Sequence, residues 1–431
     1  MIALLAVAAH LQKAPADIPV PARSYVLTLQ QALALGYRGN LQLEASRQDA
    51  TGAQAQLGKA QAAYYPTLSG SVGIQNQANS PGPAPTTTGW APGLTVSYDL
   101  GTDGSRRYQV RQAADSAELA RLATDVARDQ VTLSVTNAYY DLQRDQAQVR
   151  IEETAVDNAR AGLDAAQAMF AAGMGTKFDS ERAQTQLAAA QQALVSARAN
   201  VVVAKGNLAL QLGLPLDAAV QAIDPLTPAG TWSYSLAETG TRALANQPDI
   251  AQAKLKQDLA NLDLDLAYAQ RIPHTSLLAT VAGSQALWAG SQPVPSMLGH
   301  LGFQTTIGLS TSFPLFDGTT VNAGVAQSRA EIAAAADRER GAALNVRFEV
   351  EQAYQQLQSS FANIQTSAVA LRTSKDAVNA ALERFRSGVG TQTDVIDAEN
   401  DYTNAQASNF GAIVSYDKAL AQLRVLTESS P

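Results

Sequence analysis

The sequence predicts a mainly helical chain with four antiparallel strands, built as two tandem copies of one unit. Three observations predict it: an internal repeat at a constant offset, helical segments far longer than a globular core needs, and strand-like runs alternating with period two.

The repeat comes first because it orders everything else. Ala138-Tyr139-Tyr140-Asp141-Leu142 recurs as Ala353-Tyr354-Gln355-Gln356-Leu357, an offset of 215 residues from Tyr139 to Tyr354. Without a gap, the same offset carries Phe170 onto Phe385, Gly173 onto Gly388, Gly175 onto Gly390, Thr176 onto Thr391 and Asp179 onto Asp394. It continues through Ala183/Ala398 and Ala190/Ala405 to Leu208/Leu423. The chain therefore divides into an N-terminal tail, 1–24, a first repeat, 25–225, and a second, 226–431. The link Ile223-Asp224-Pro225-Leu226-Thr227-Pro228-Ala229-Gly230 reads as a loop.

Each repeat holds the same series of elements. A helical segment (28–65, then 235–271) stops before Pro66 or Pro273, where the ring forbids continuation. Two strands follow: 67–75 and 93–101 in the first repeat, 275–287 and 302–315 in the second. Next comes a very long helix, 104–171 or 318–386, a glycine-containing break, and a second helix, 178–212 or 393–427. At ~1.5 Å per residue the first long helix would run on the order of 100 Å. It needs a neighbour along its length. Ala183, Leu187, Ala190, Leu194, Ala197, Val201, Ala204 and Leu208 supply a 4-3-4-3 seam, matched by Ala398, Tyr402, Ala405, Asn409, Ala412, Tyr416, Ala419 and Leu423. Such a seam drives supercoiling, and its alanines allow close backbone approach. Antiparallel coiled coils are expected; an ordinary helical-bundle core is the alternative.

The strands alternate apolar with polar. Leu68, Gly70, Val72 and Ile74 interleave with Ser69, Ser71, Gly73 and Gln75, and Leu94, Val96, Tyr98 and Leu100 with Thr95, Ser97 and Asp99. Phe303, Thr305, Ile307, Leu309, Thr311, Phe313 and Leu315 alternate likewise, whereas 275–287 is less regular because Leu277 and Leu278 are adjacent. A lipid-facing outside and a wet inside produce this pattern, with Trp90, Trp288, Phe303 and Phe313 near strand ends as girdle residues. A soluble sheet with one solvated face produces it too. The loop 78–90 between the first two strands is long and polar. Four strands cannot close a barrel, since the smallest outer-membrane barrels have ~8, and an open edge cannot stand in lipid. If they span a membrane, copies must pool them: two give eight strands, three give twelve.

Composition narrows the function. A net charge of −7 and a pI near 5.1, with no basic cluster, exclude a nucleic-acid partner. The absence of cysteine excludes disulfides, thiolate metal sites and an N-terminal lipid anchor. Met1–Ala9 is an apolar run in which Ala6-Val7-Ala8 resembles a signal cleavage site, though the basic n-region is missing; it is either a signal remnant or a tail. No other apolar run approaches ~20 residues, so no transmembrane helix is predicted. His10, His274 and His300 have no spacing suited to a metal or a triad, and Gly173-Met174-Gly175 and Gly388-Val389-Gly390 lack the lysine and preceding strand of a phosphate loop. No catalytic constellation and no cofactor site is predicted.

Two segments carry a family resemblance. Phe385-Arg386-Ser387-Gly388-Val389-Gly390-Thr391-Gln392-Thr393-Asp394-Val395-Ile396-Asp397-Ala398 resembles the turn-and-helix signature of the TolC family of outer-membrane channels, and Leu315-Phe316-Asp317-Gly318 resembles its strand-to-helix junction. The resemblance spans about 28–425, duplication included. It implies a homotrimer with a shared twelve-stranded barrel in outer-membrane lipid and a helical α-barrel crossing the periplasm. It further implies docking to a periplasmic adaptor (membrane fusion protein) and to an inner-membrane transporter or secretion ATPase, for efflux of small molecules or type I protein secretion. Asp394 and Asp397 match that family's aspartate ring at the tunnel entrance. In a trimer they would present six carboxylates around one axis, a ring that favours cations; the alternative is that they merely complement the helix dipole. Asp179 is the first-repeat counterpart, and Arg182 replaces the second acid. The family's gate uses a tyrosine and an arginine where this chain has Phe385 and Gly390, which can make neither latch. A periplasmic coiled-coil adaptor without a pore is the competing function; a strand pair in each repeat argues against it.

Overall fold

The computed structural model describes residues 24–77, 87–289, 292–293 and 302–428. The N-terminal run with its cleavage-like triplet, His10, His300 and most of the polar loop after Gln77 lie outside them. Two compact units are present.

The first unit contains 24–40, 131–233 and 354–422. A parallel pair, β1 (Ser24–Leu27) and β4 (Ala219–Ala222), lies beside α1 (Leu29–Gly39). The unit also takes the distal parts of α3 (Ser105–Ala171) and α7 (Thr320–Arg386), all of α4 (Lys177–Leu212) and most of α8 (Gln392–Thr427). The two long helices are each 67 residues and their partners each 36. Ala183, Ala190, Ala197, Ala204 and Leu208 of the α4 seam are buried, as are Asn409, Tyr416, Ala419 and Leu423 of α8, while the leucines of the α4 seam before Leu208 are half-buried. Arg198 reaches back to Glu153 at 2.9 Å, and Asn409 donates to Ser367 at 3.0 Å, as antiparallel hairpins require.

Buried Tyr139 ties the inter-repeat link to this unit. Its hydroxyl lies 2.8 Å from the Asp224 carboxylate and 3.0 Å from the Leu27 carbonyl, and accepts the Asp224 N–H at 3.2 Å. The same carboxylate accepts the Leu29 N–H at 2.8 Å, at the start of α1. Burial pushes the Tyr139 phenol far up, which keeps it a proton donor. From the other repeat, Tyr416 donates to the Gly230 carbonyl and Asp417 accepts the Ala229 N–H, both at 2.8 Å. The link is pinned at both ends. The sequence predicts a loop here, and the role of Asp224 does not show in it because its partner is 85 residues away.

The second unit contains 41–130, 234–353 and 423–428. The first helical segment of each repeat, expected to be continuous, is broken in two: α1 and α2 (Leu41–Gln61) separate at Asn40, and α5 (Leu236–Asn246) and α6 (Pro248–Ala269) at Gln247. Both break residues have extended backbones, and Gln247 precedes Pro248, which disfavours the helical region for it. α6 packs on α7 through Ala267, Leu264, Val321 and Val325.

The antiparallel sheet of this unit runs β2 (Thr67–Gln77), β3 (Thr87–Asp99), β5 (His274–Ala289), β7 (Gly302–Ser312), with a short hairpin strand β6 (Gln292–Pro293) on β5. Its register sorts the faces into rows. Leu68, Val96, Ala279 and Ile307 are mutually paired on one face; Ser69, Thr95, Thr280 and Thr306 on the other. Leu277 joins the apolar set between Tyr98 and Leu309, and its neighbour Leu278 falls on the polar face opposite Ser97 and Gly308. β3 begins six residues before its expected start. The strand passes through Pro92, and Ala91 and Pro92 have no partner in β5. β3 ends at Asp99, whose carboxylate takes the Gly101 N–H at 2.7 Å, and β7 ends before Phe313-Pro314.

Among the described residues, no layer covers this sheet. Leu68, Val72, Ile74, Phe303 and Ile307 stand 70–77% exposed, and no described side chain in its strands is buried. A soluble antiparallel sheet buries one face on a core; this one buries neither. Among the described residues, the outer edges of β2 and β7 have no partner.

Candidate functional site

The residues singled out at the two glycine breaks lie in the turns joining α3 to α4 and α7 to α8, and both turns are made alike. Gly173 takes φ +72° and Gly388 φ +74°, a left-handed conformation that folds the next N–H groups onto the helix's free carbonyls. Met174 and Gly175 donate to the Met169 carbonyl at 2.9 and 3.1 Å; Val389 and Gly390 donate to that of Arg384 at 3.0 and 2.9 Å. The second glycine meets a different need. A Cβ at Gly175 would stand 3.3 Å from the Met169 carbonyl carbon, and one at Gly390 3.1 Å from that of Arg384. Backbone occupies the space.

A capping threonine starts each following helix. Thr176 and Asp179 form a reciprocal box: the Asp179 N–H donates to the Thr176 hydroxyl at 3.2 Å, while its carboxylate takes the Thr176 N–H and O–H at 3.1 and 2.6 Å. Thr391 and Asp394 repeat it, at 3.2 Å and, from the Thr391 N–H to the carboxylate, 2.9 Å. These bonds hold both carboxyls below their ordinary range, for Asp179 chiefly through the Thr176 side chain and for Asp394 chiefly through the Thr391 N–H. Asp394 thus has a capping task, and Asp397, one turn further along α8, is exposed.

Between the helices the first repeat reaches the second. Arg182, at the position equivalent to Asp397, donates to the Thr393 hydroxyl at 2.7 Å, and Gln186 donates to Asn400 at 3.1 Å. Phe385 does not latch; it lines a cavity of about 400 Å³ with Met169, Val395, Ile396 and Glu399. The contact of Arg182 and the place of Glu399 do not show in the sequence, because neither follows from spacing along one helix. Among the described residues no group of three or more His, Asp or Glu side chains could hold a metal ion.

Among the described residues, a single-layer sheet with free edges and uncovered apolar rows, in a chain that also carries two long helical hairpins, points to the class of outer-membrane channel proteins. The chain belongs to the outer membrane efflux protein family, whose profile matches residues 29–214 and 240–428, one segment in each repeat. It is 24% identical over 292 residues to the fusaric acid resistance protein FusA of Burkholderia cepacia, covering 65% of this chain and about half (54%) of that protein. It is 25% identical over 386 residues to the outer membrane efflux protein BepC of Brucella suis, covering 88% and 80%. The solved CmeC outer membrane channel of Campylobacter jejuni shares the fold, with a TM-score of 0.82 at 17% identity over 93% of this chain and 85% of that one. The resemblance to the TolC family holds, and the protein is an outer-membrane efflux channel. Its relatives are channel proteins rather than enzymes, and they lend the pore-less adaptor no support.

Proposed function

We propose that three copies of this chain pool their strands into one twelve-stranded barrel in the outer membrane. Its helices continue as a tunnel through the periplasm. The observation that carries this reading is the four-stranded sheet that has, among the described residues, two unpaired edges and no covering layer: in lipid, every such edge must be closed by another chain. Exposed apolar residues on α4 (Val195, Val202, Val203, Leu210) and on α7 (Leu344, Phe348, Phe361, Val369) support side-by-side copies as well. Residues 25–225 and 226–431 act as two halves of a duplication, so three chains supply six quasi-equivalent hairpins. The duct receives cargo from an inner-membrane transporter through a periplasmic adaptor. The names of relatives concerned with fusaric acid resistance, toluene efflux and pyoverdine export favour small molecules. Asp394 and Asp397 form the selective ring at its entrance, with Asp397 free to act on ions while Asp394 also caps α8.

Membrane fractionation followed by native mass measurement in detergent tests the assembly. Three times 45.2 kDa in the outer-membrane fraction is expected. A water-soluble monomer would overturn it.

A further inference from the structure

The cavity between α3, α4, α7 and α8 near the turns has no part in the reading above, and it lies within a single chain. Its volume, about 400 Å³, falls in the range of small-molecule sites, which run ~300–1,000 Å³. Most of its wall is apolar: Ala159, Met169, Phe385, Val395 and Ile396. Gly162 opens part of it, since a Cβ there would meet nothing within 4 Å. Glycine is a poor helix former, so this gap stands against helix propensity.

One acid faces this wall. Glu399 is half-buried, and its carboxylate has neither a hydrogen bond nor an ion pair among the described residues. Of the neutral polar side chains on the lining, Gln186 bonds Asn400 and Gln392 bonds the Gly162 carbonyl at 3.5 Å, while Asn158 is exposed to solvent. Arg386 is the one other charged group on the lining, and it is exposed. An apolar pocket with a single unmatched carboxylate is complementary to an apolar body carrying one positive charge.

We propose that this cavity binds small lipophilic organic cations, with the Glu399 carboxylate as counter-charge. Burial pushes the Glu399 carboxyl up. Binding requires its ionised form, so affinity falls as pH drops through that raised value, sooner than for a solvated glutamate. The site needs no second copy, so it stands or falls separately from the trimer.

The full-length protein in amphipol, titrated calorimetrically with tetraphenylphosphonium and with its anionic isostere tetraphenylborate, tests this. Saturable binding of the cation at one per chain, and none of the anion, is expected. Glu399→Gln should weaken the cation at least ten-fold, and Gly162→Leu, whose Cβ meets nothing within 4 Å and whose side chain takes up cavity space, should weaken it comparably. Glu383→Gln, on an exposed residue of α7, should leave it unchanged. Equal binding of both ions, undiminished binding by Glu399→Gln, an equal loss in Glu383→Gln, or no saturable binding at all would overturn the proposal.

Discussion

The two helix-reversing turns share one backbone and differ in charge. Gly173/Gly388, Gly175/Gly390, Thr176/Thr391 and Asp179/Asp394 are identical pairs, and each has a task that the main chain sets: positive φ, close approach, cap, and answer to the cap. Where the main chain asks nothing, the copies have diverged. Arg182 stands opposite Asp397, Phe178 opposite Thr393, and Gln184 opposite Glu399. Backbone chemistry preserved the turn; side chains with no structural duty were free to specialise. The second turn became acidic.

Making the second turn like the first should give the largest effect. Asp397→Arg places three guanidinium groups where the proposed ring holds carboxylates. Single-channel recordings should show the cation-over-anion permeability ratio falling several-fold, with anions favoured. Stability should stay within about 0.5 kcal/mol, as for other surface substitutions. An unchanged ratio would remove Asp397 from the ring. Next in size are the shared glycines. Gly390→Ala presses a Cβ against the Arg384 backbone and should loosen the turn by ~1–3 kcal/mol, read as local hydrogen exchange. Gly175→Ala should cost less, because its closest backbone contact is 3.3 Å rather than 3.1 Å. Equal costs would mean that the two turns relax differently from their geometry.

The same division explains what could be read from the residues alone. The lengths of the long helices and their partners, the seam and the sheet rows were legible because each follows a period that one segment carries by itself: 3.5 for Ala183 to Leu208, two for Leu68 to Ile74. Strand limits were less so. β3 runs through Pro92, and its pairing with β5 skips that residue, so the missing N–H is not needed on that side. β1 and β4 escaped notice because each is four residues long and its partner lies about 195 residues away. Asp224 and Glu399 are invisible for a related reason. A carboxylate in a proline-rich link and one on a helix face look like solvated acids until the chain brings Tyr139 to the first and an apolar wall to the second.

The two capping acids should show the turns' likeness through pH. Both have carboxyl pKa values depressed by hydrogen bonds made only in the folded turn. Their stabilisation is therefore complete above the unfolded aspartate value, ~3.9, and is lost as pH falls through the lower folded value. Protection of the Thr176 and Thr391 N–H groups against exchange should hold down to about pH 4 and decline below it. Asp179→Asn and Asp394→Asn should each flatten that decline in its own turn, by a smaller change than either glycine substitution.

The smallest effect concerns the one contact that joins the unlike positions. Arg182 donates to Thr393, so the cation of the first repeat is satisfied beside the acidic turn of the second. Both residues are half-buried, which places their hydrogen bond between a solvated pair and a desolvated one. A double-mutant cycle of Arg182→Met and Thr393→Val should give a coupling of roughly 0.5–1 kcal/mol. If the coupling is zero, Arg182 acts as a charge and not as a strut. Arg182→Met would then still strengthen cation preference, because a positive group near the Asp394 ring is removed. If the coupling is present and selectivity does not move, the arginine is purely structural, and the asymmetry between the turns rests on Asp397 alone.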